Sequence, residues 1–209
     1  MEWVLDLGCG DGGFEEIIED QAVQASWLLR NGHERSIGVD ISPQRICSAR
    51  KLIRNGTIFA IADGRNLPFS DECFSQIHES GALHHINNYD FAISEIVRVL
   101  RRGGRLYLME AVDNNPWYAV VRRMVSSWEG MKIDSYFTSD VLLRKLEKEF
   151  CIEKVGYYYR SVASDAALSL FGIEPPLSLK GCRMVSRLLN GVGLGRRLCC
   201  HLIVECVKR

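Results

Sequence analysis

Asp6, followed in strict alternation by Gly8, Gly10 and Gly12, is the first place in this chain where residue types and spacing could do chemistry. Trp3–Leu7 is a short apolar run around one acid, which predicts a buried strand. Phe14-Glu15-Glu16-Ile17-Ile18 then begins a helical pattern. A strand that turns into a helix through glycines offers bare backbone N–H groups and a helix N-terminus to a ligand. Each glycine either permits a positive φ or removes a Cβ so that the ligand can approach the backbone. The pyrophosphate fingerprint is G-x-G-x-x-G, and the alternation here departs from it. An acid two residues ahead of the first glycine repels a phosphate and suits an ammonium group.

In order and spacing this run resembles motif I of the class I S-adenosylmethionine (SAM)-dependent methyltransferases, D/E-x-G-x-G-x-G. The resemblance implies that Asp6, Gly8, Cys9, Gly10 and Gly12 hold the cofactor. Ile37-Gly38-Val39-Asp40-Ile41-Ser42 follows. An acid ending the second strand can accept from both ribose hydroxyls at once, and the resemblance sets Asp40 on the ribose and Ile41 against the adenine. The stretch between Gly13 and Gly38 is longer than the family's usual one, so an extra turn or loop is expected within Gln21–Arg35.

Asp63 and Gly64 follow the third strand, where the resemblance implies a carboxylate on the adenine amino group and an amide on a ring nitrogen. The next residues, Leu67-Pro68-Phe69, resemble the small-molecule type 11 methyltransferases, which include quinone-ring C-methyltransferases. Phe74-Ser75-Gln76-Ile77 to Leu83-His84-His85 resembles the family's F-D-x-V-x-x-x-x-x-L-H-H, with Ser75 in place of aspartate. This implies backbone at Glu79–Gly81, Ser80 included, near the methionine part of the cofactor, and Leu83 near the reactive methyl.

Three residues are candidates for catalysis: His84, Glu110 at the end of strand five, and Tyr118. His84 is either a general base or a residue that fixes its loop while its neighbour faces solvent. Trp117, Tyr118, Trp128, Tyr136 and Phe137 either line an apolar acceptor pocket or cover the sheet. No metal site is expected. The eight cysteines form no C-x-x-C pair and have no histidine at ligand spacing. Several lie in apolar runs, where a thiol behaves as a small hydrophobe; they are read as reduced, in a cytoplasmic protein. Cys199 and Cys200, on an expected strand, would point to opposite faces.

With 209 residues, 47% hydrophobic and 25% charged, the chain has the size and composition of one globular domain. Formal net charge is zero, so no nucleic-acid partner is expected. No apolar run approaches the ~18–20 residues that span a bilayer, and no signal peptide is visible. Arg98, Arg101, Arg102 and Arg105 sit around a helix C-terminus, where the helix dipole favours positive charge.

Strands alternate with helices, the pattern of a mostly parallel sheet. Strands are expected at Trp3–Leu7, Ser36–Asp40, Thr57–Ala62, Phe74–Glu79, Arg105–Ala111, Cys151–Arg160 and Leu198–Lys208. Helices are expected at Phe14–Arg30, from Pro43 to about Arg54, and at Tyr89–Leu100, Pro116–Trp128 and Ser139–Glu149. Ser42-Pro43 supplies a cap and a proline at the first helical position, and Gly103-Gly104 turns the chain into strand five. The expected fold class is α/β: a Rossmann-like three-layer sandwich on a seven-stranded, mostly parallel sheet whose last strand is antiparallel. Residues 1–209 then form one domain, with a cofactor-binding half at 1–111 and a substrate-side half at 112–209 that carries a helical insert at 163–197.

The function the resemblance implies is SAM-dependent methyl transfer to a small-molecule, apolar or lipid-like acceptor, with S-adenosylhomocysteine as product. The alternatives are a SAM-binding accessory protein without turnover and a protein or RNA methyltransferase. Residues 175–204 carry Lys180, Arg183, Arg187, Arg196 and Arg197 and no acid, either an interfacial helix for a peripheral contact with anionic lipid or a solvated basic face. Strand one starts at residue 3, ahead of which family members carry helices that cover the cofactor. Truncation, cover from another segment or a second copy in a homo-oligomer, and weak cofactor binding are the three expectations left open.

Overall fold

The computed structural model describes residues 2–10, 35–52, 57–128, 135–159 and 179–209. The expected helix Phe14–Arg30, Gly12, the loop expected within Gln21–Arg35 and the first part of the insert at 163–197 lie outside those residues. Seven strands, β1 (Trp3–Leu7), β2 (Ser36–Asp40), β3 (Ile58–Ile61), β4 (Phe74–Ser80), β5 (Leu100–Ala111), β6 (Phe150–Tyr158) and β7 (His201–Lys208), form one sheet in the order β3-β2-β1-β4-β5-β7-β6. The pairings from β3 through β5 are parallel, and β7 runs antiparallel to both β5 and β6. The α/β sheet read from the sequence is thus present, with strands from both halves of the chain.

Strand alternation separates two faces. Leu5, Leu7, Ile77, Leu106, Leu108, Val204 and Cys206 are buried together with Ala92, Ile93, Ile96 and Val99 of α2 (Tyr89–Val99) and Leu142 and Leu146 of α4 (Ser139–Leu146). On the other face, Ile46 and Ala49 of α1 (Pro43–Leu52) pack with Cys9 and Phe59. Helix α3 (Pro116–Trp128) follows β5. Helices α5 (Leu179–Gly191) and α6 (Gly195–Leu198) precede β7, with α5 held to the sheet edge where Tyr159 N–H donates to Ser186 Oγ at 2.9 Å. Among the described residues no helix is long and apolar enough to cross a membrane.

Local chemistry accounts for the element ends. Ser42 Oγ accepts the amide of Arg45 at 3.3 Å, the cap expected of the Ser-Pro pair. Strand β5 begins at Leu100 rather than Arg105: Leu100 pairs with Phe74, the register then jumps, and Arg105 lies opposite Gln76. The Gly103-Gly104 turn is therefore an outward bulge within the strand, with Gly103 at φ +70°. The last strand starts at His201, not Leu198, because Gly195–Leu198 forms a helical turn. Cys199 and Cys200 precede the strand and are both buried, so strand alternation does not apply to them. Ser75, which replaces the family's aspartate, donates to Trp3 O at 3.1 Å and ties β4 to the start of β1.

Candidate active site at the strand ends

The strand order reverses between β1 and β4, and in open α/β sheets the crevice outside the carboxyl ends at such a reversal is where ligands bind. The end of β1 is shaped by its glycines. The amides of Gly8 and Cys9 both donate to Val39 O, at 2.8 and 2.9 Å, folding the loop over the end of β2. Gly8 has φ +72°, and a Cβ there would lie 2.3 Å from Ala82 Cβ. Its bareness serves the packing of the β1 loop on the β4 loop. Gly10, at φ +60°, is different, because a Cβ there would meet nothing among the described residues within 4 Å.

Asp40 joins the two strand ends. Its Oδ2 accepts the Gly10 amide at 3.0 Å and its Oδ1 the Ser42 amide at 2.8 Å. Each oxygen keeps a second lone pair for a further donor. Ile41, the next residue, is exposed beside it. Asp6 is buried, and burial together with the Asp40 charge pushes its carboxyl up to about 7. The Cys9 side chain points away from the crevice into the cluster with Ile46 and Phe59, so only its backbone belongs to the loop.

Asp63 lies after β3 as the sequence places it, bridged to Asn66, but its carboxylate is held by Arg65 through Nη2 at 2.6 Å and Nε at 3.0 Å. The Arg65 hydrogen bond keeps it below the usual carboxylate range. Gly64 sits against Ile86 and Leu7. Two residues the sequence reading gave no such task secure Leu67-Pro68-Phe69. Glu95 accepts the Leu67 amide at 2.7 Å, while Arg98 donates to Leu67 O, Phe69 O, Asp71 and Glu95. Their i, i+3 spacing on an amphipathic helix was the available signal.

The candidate catalytic group assembles where β4 and β5 end. His84 Nδ1 lies 2.7 Å from Glu110 Oε2. Glu110 is fully buried and also accepts the Leu83 amide at 2.6 Å. Burial would raise its carboxyl, but the charge and hydrogen bond of His84, the bond with Glu79 and the Arg122 charge outweigh that and hold it below the usual value. Leu83 is buried without accessible surface in the main core. Its contribution to the crevice is therefore its amide, which is already taken by carboxylates. Tyr118 is buried beside Ala111 and Cys200, and burial raises its phenol. It neighbours Arg122, whose guanidinium carbon is 6.0 Å from the Tyr118 ring and 5.3 Å from the Tyr136 ring. The aromatic segment thus divides: Phe137 joins the core, Tyr118 is buried, Tyr136 stacks on arginines and Trp117 is exposed.

Two further residues belong to this cluster and were not singled out from the sequence. Glu79 is fully buried next to Glu110, and Arg122 is buried with Asp113 Oδ1 at 3.0 Å. An acid inside the apolar strand Phe74–Ser80 was the available signal for Glu79. Residues after α3 close over the turn, with Ser135 N–H donating to His84 O at 3.0 Å and Ser135 Oγ to Ile86 O at 2.9 Å.

The sheet order, the glycine loop and the strand-end acids define the class I fold of SAM-dependent methyltransferases. Residues 5–108 match the family described as methyltransferase domain, and the chain belongs to that family. It is 34% identical over 115 residues to the phthiotriol/phenolphthiotriol dimycocerosates methyltransferase of Mycobacterium leprae, covering 54% of this chain and 38% of that one. It is 30% identical over 114 residues to the demethylmenaquinone methyltransferase of Thermotoga maritima, covering 54% and 45%. The chain's match therefore spans less than half the length of these relatives. Among solved structures, geranyl diphosphate C-methyltransferase from Streptomyces coelicolor, with Mg2+, geranyl diphosphate and S-adenosylhomocysteine bound, superposes with TM-score 0.65 at 12% identity. The superposition covers 100% of this chain and 71% of that one, a likeness of fold.

Two outcomes follow from the geometry. Gly8→Ala, which forces a Cβ onto Ala82 at positive φ, should cost about 1–3 kcal/mol in urea denaturation. For Asp6 the folded state holds the proton more tightly than the unfolded chain. Its contribution to stability is therefore full below the unfolded carboxylate value and lost as pH rises through about 7. Asp6→Asn should flatten the fall of Tm between pH 5 and 8, and an unchanged slope would show that Asp6 ionises normally.

Proposed function

We propose that the chain binds SAM in the β1–β4 crevice and transfers its methyl group to a small, apolar or lipid-like acceptor. The observation that carries this reading is Asp40. Its carboxylate is fixed by two backbone amides, keeps a lone pair on each oxygen, and stands beside the Gly10 loop and exposed Ile41. Those residues fit an adenosine: a carboxylate for the ribose diol, an aliphatic side chain for the purine face, and Asp6 and the β4 end at Ser80 for an ammonium-bearing chain. Asp63 and Gly64 would meet the purine edge, with Asp63 reaching it from its Arg65 pair.

SAM supplies a methyl group made electrophilic by its sulfonium, so orientation provides much of the rate. The chain's own part is to hold both reactants at the strand ends and, for an acceptor that arrives protonated, to take the proton. His84 is the base in this reading. With Nδ1–H donated to Glu110, its Nε2 is the acceptor position. Tyr118 serves as a wall of the acceptor side rather than an acid, since burial keeps its phenol protonated. In the same reading 1–111 forms the cofactor half and 112–209 the acceptor half of one cytoplasmic domain.

The acceptor class is supported by the family match and by relatives named for phthiotriol dimycocerosates and demethylmenaquinone. A peripheral membrane contact fits it. Along α5 and the turn after it, Met184, Leu188 and Val192 are 60, 61 and 68% exposed at intervals of four, flanked by exposed Arg187 and Arg197.

Calorimetric titration with SAM and S-adenosylhomocysteine should give saturable binding. Asp40→Ala should weaken it roughly tenfold or more, as expected for a lost charge-assisted hydrogen bond; unchanged affinity would remove Asp40 from the ribose. Binding without methyl transfer to any quinone, lipid or small-metabolite acceptor would favour the accessory reading. Co-sedimentation with vesicles containing phosphatidylglycerol, absent with phosphatidylcholine alone and abolished by Leu188→Glu, would support the membrane contact. No sedimentation with either lipid would eliminate it.

A further inference from the structure

Glu79 and Glu110 are both completely buried, at the ends of neighbouring strands β4 and β5. The donors around them are unequally shared. Glu110 receives Leu83 N–H at 2.6 Å, Ala111 N–H at 3.2 Å and His84 Nδ1 at 2.7 Å. Glu79 receives Ala82 N–H at 2.6 Å and Leu83 N–H at 3.2 Å, both on Oε1. Its Oε2 is buried and meets no donor. An ionised Glu79 would put an unsatisfied charged oxygen beside a second carboxylate in a dry site, which is costly on both counts. The side-chain partners nearby belong to the other acid. His84 from the turn after β4 and Arg122 from α3 act on Glu110, and Arg122 also pairs with Asp113. Among the other titratable groups around the pair, Tyr118 of α3 lies near Glu110 and is protonated, His85 lies against the His84 ring at 4.1 Å, and His201 of β7 lies opposite Ala111.

We propose that Glu79 is a neutral carboxylic acid in the working protein and a positioning residue for His84, its proton held between Glu79 and Glu110. One proton resolves both difficulties. It makes Oε2 a donor to Glu110, and it removes the repulsion that would otherwise push Glu110 off its partners. Glu110 then stays ionised and fixed by four donors, one of which is His84 Nδ1–H. That bond sets the ring tautomer and its plane, leaving Nε2 as the basic nitrogen. Burial, the Glu110 charge and the hydrogen bond with Glu110 all push the Glu79 carboxyl well above its ordinary value, in keeping with the geometry. The location of the proton is independent of the function proposed above; the task given to His84 rests on it.

Infrared difference spectroscopy of the whole chain tests the proton directly. At neutral pH the wild type should show the carbonyl stretch of a buried protonated acid that Glu79→Gln lacks. An identical acid band in both proteins would overturn the proposal. The amide of Glu79→Gln can donate to Glu110 while its carbonyl accepts the Ala82 and Leu83 amides. This variant should therefore keep the fold, the cofactor affinity and the pH–rate profile of the wild type. Glu79→Ala should lower kcat by roughly a hundredfold, the scale of a misplaced general base, with KM for the cofactor little changed. Glu110→Gln should move the acidic limb of the pH–rate profile to lower pH. Loss of turnover in Glu79→Gln equal to that in Glu79→Ala would also overturn the positioning role. A protein without turnover on any acceptor would fail the proposed function while leaving the infrared result intact.

Discussion

The Asp40 carboxylate, received by the amides of Gly10 and Ser42, is the constraint on which the rest of the crevice depends. It locks the end of β2 to the loop leaving β1 and caps the turn into α1 in one contact. The two amides donated to Val39 O complete the clamp. A loop built of alternating glycines has too much freedom to hold a shape alone. Here three hydrogen bonds and the Gly8–Ala82 contact impose one.

The second half of the crevice is built on the opposite principle. Where the β1 loop is spare and open, the ends of β4 and β5 are dense with buried polar groups. Glu79 and Glu110 take the amides of the 82–83 turn, so the turn bearing His84 is anchored by side chains from inside the sheet. Ser135 straps the same turn from outside. Arg122, Asp113 and Arg123 form a further charged layer behind it, with Tyr136 stacked on the two arginines. Such a network is stable only when nearly every donor and acceptor is matched. It therefore restricts which substitutions the ends of β4 and β5 tolerate.

The matched family region ends at residue 108. Glu110, Tyr118, Arg122 and Ser135 all lie beyond that boundary. Part of the polar cluster at the ends of β4 and β5 thus lies beyond the matched family region.

The sequence by itself determined the alternating strands and helices, the glycine loop and the strand-end acid Asp40. These are short-range features: apolar periodicity, a Ser-Pro cap and a glycine after a strand act within a few residues of where they are written. Even the misplaced boundaries, Leu100 for Arg105 and His201 for Leu198, were errors over bulges and single helical turns, where local propensity is weakest. Only the tertiary structure decided which polar groups meet. Nothing in the spacing of Glu79, Glu110 and His84 says that two acids 31 positions apart are buried side by side on neighbouring strands. Nor does it say that Arg98 serves the Leu67–Phe69 loop rather than the end of its own helix, or that Gly8 lies against Ala82. Pairing across a sheet depends on strand order and register, and those are fixed by the burial of the whole core at once.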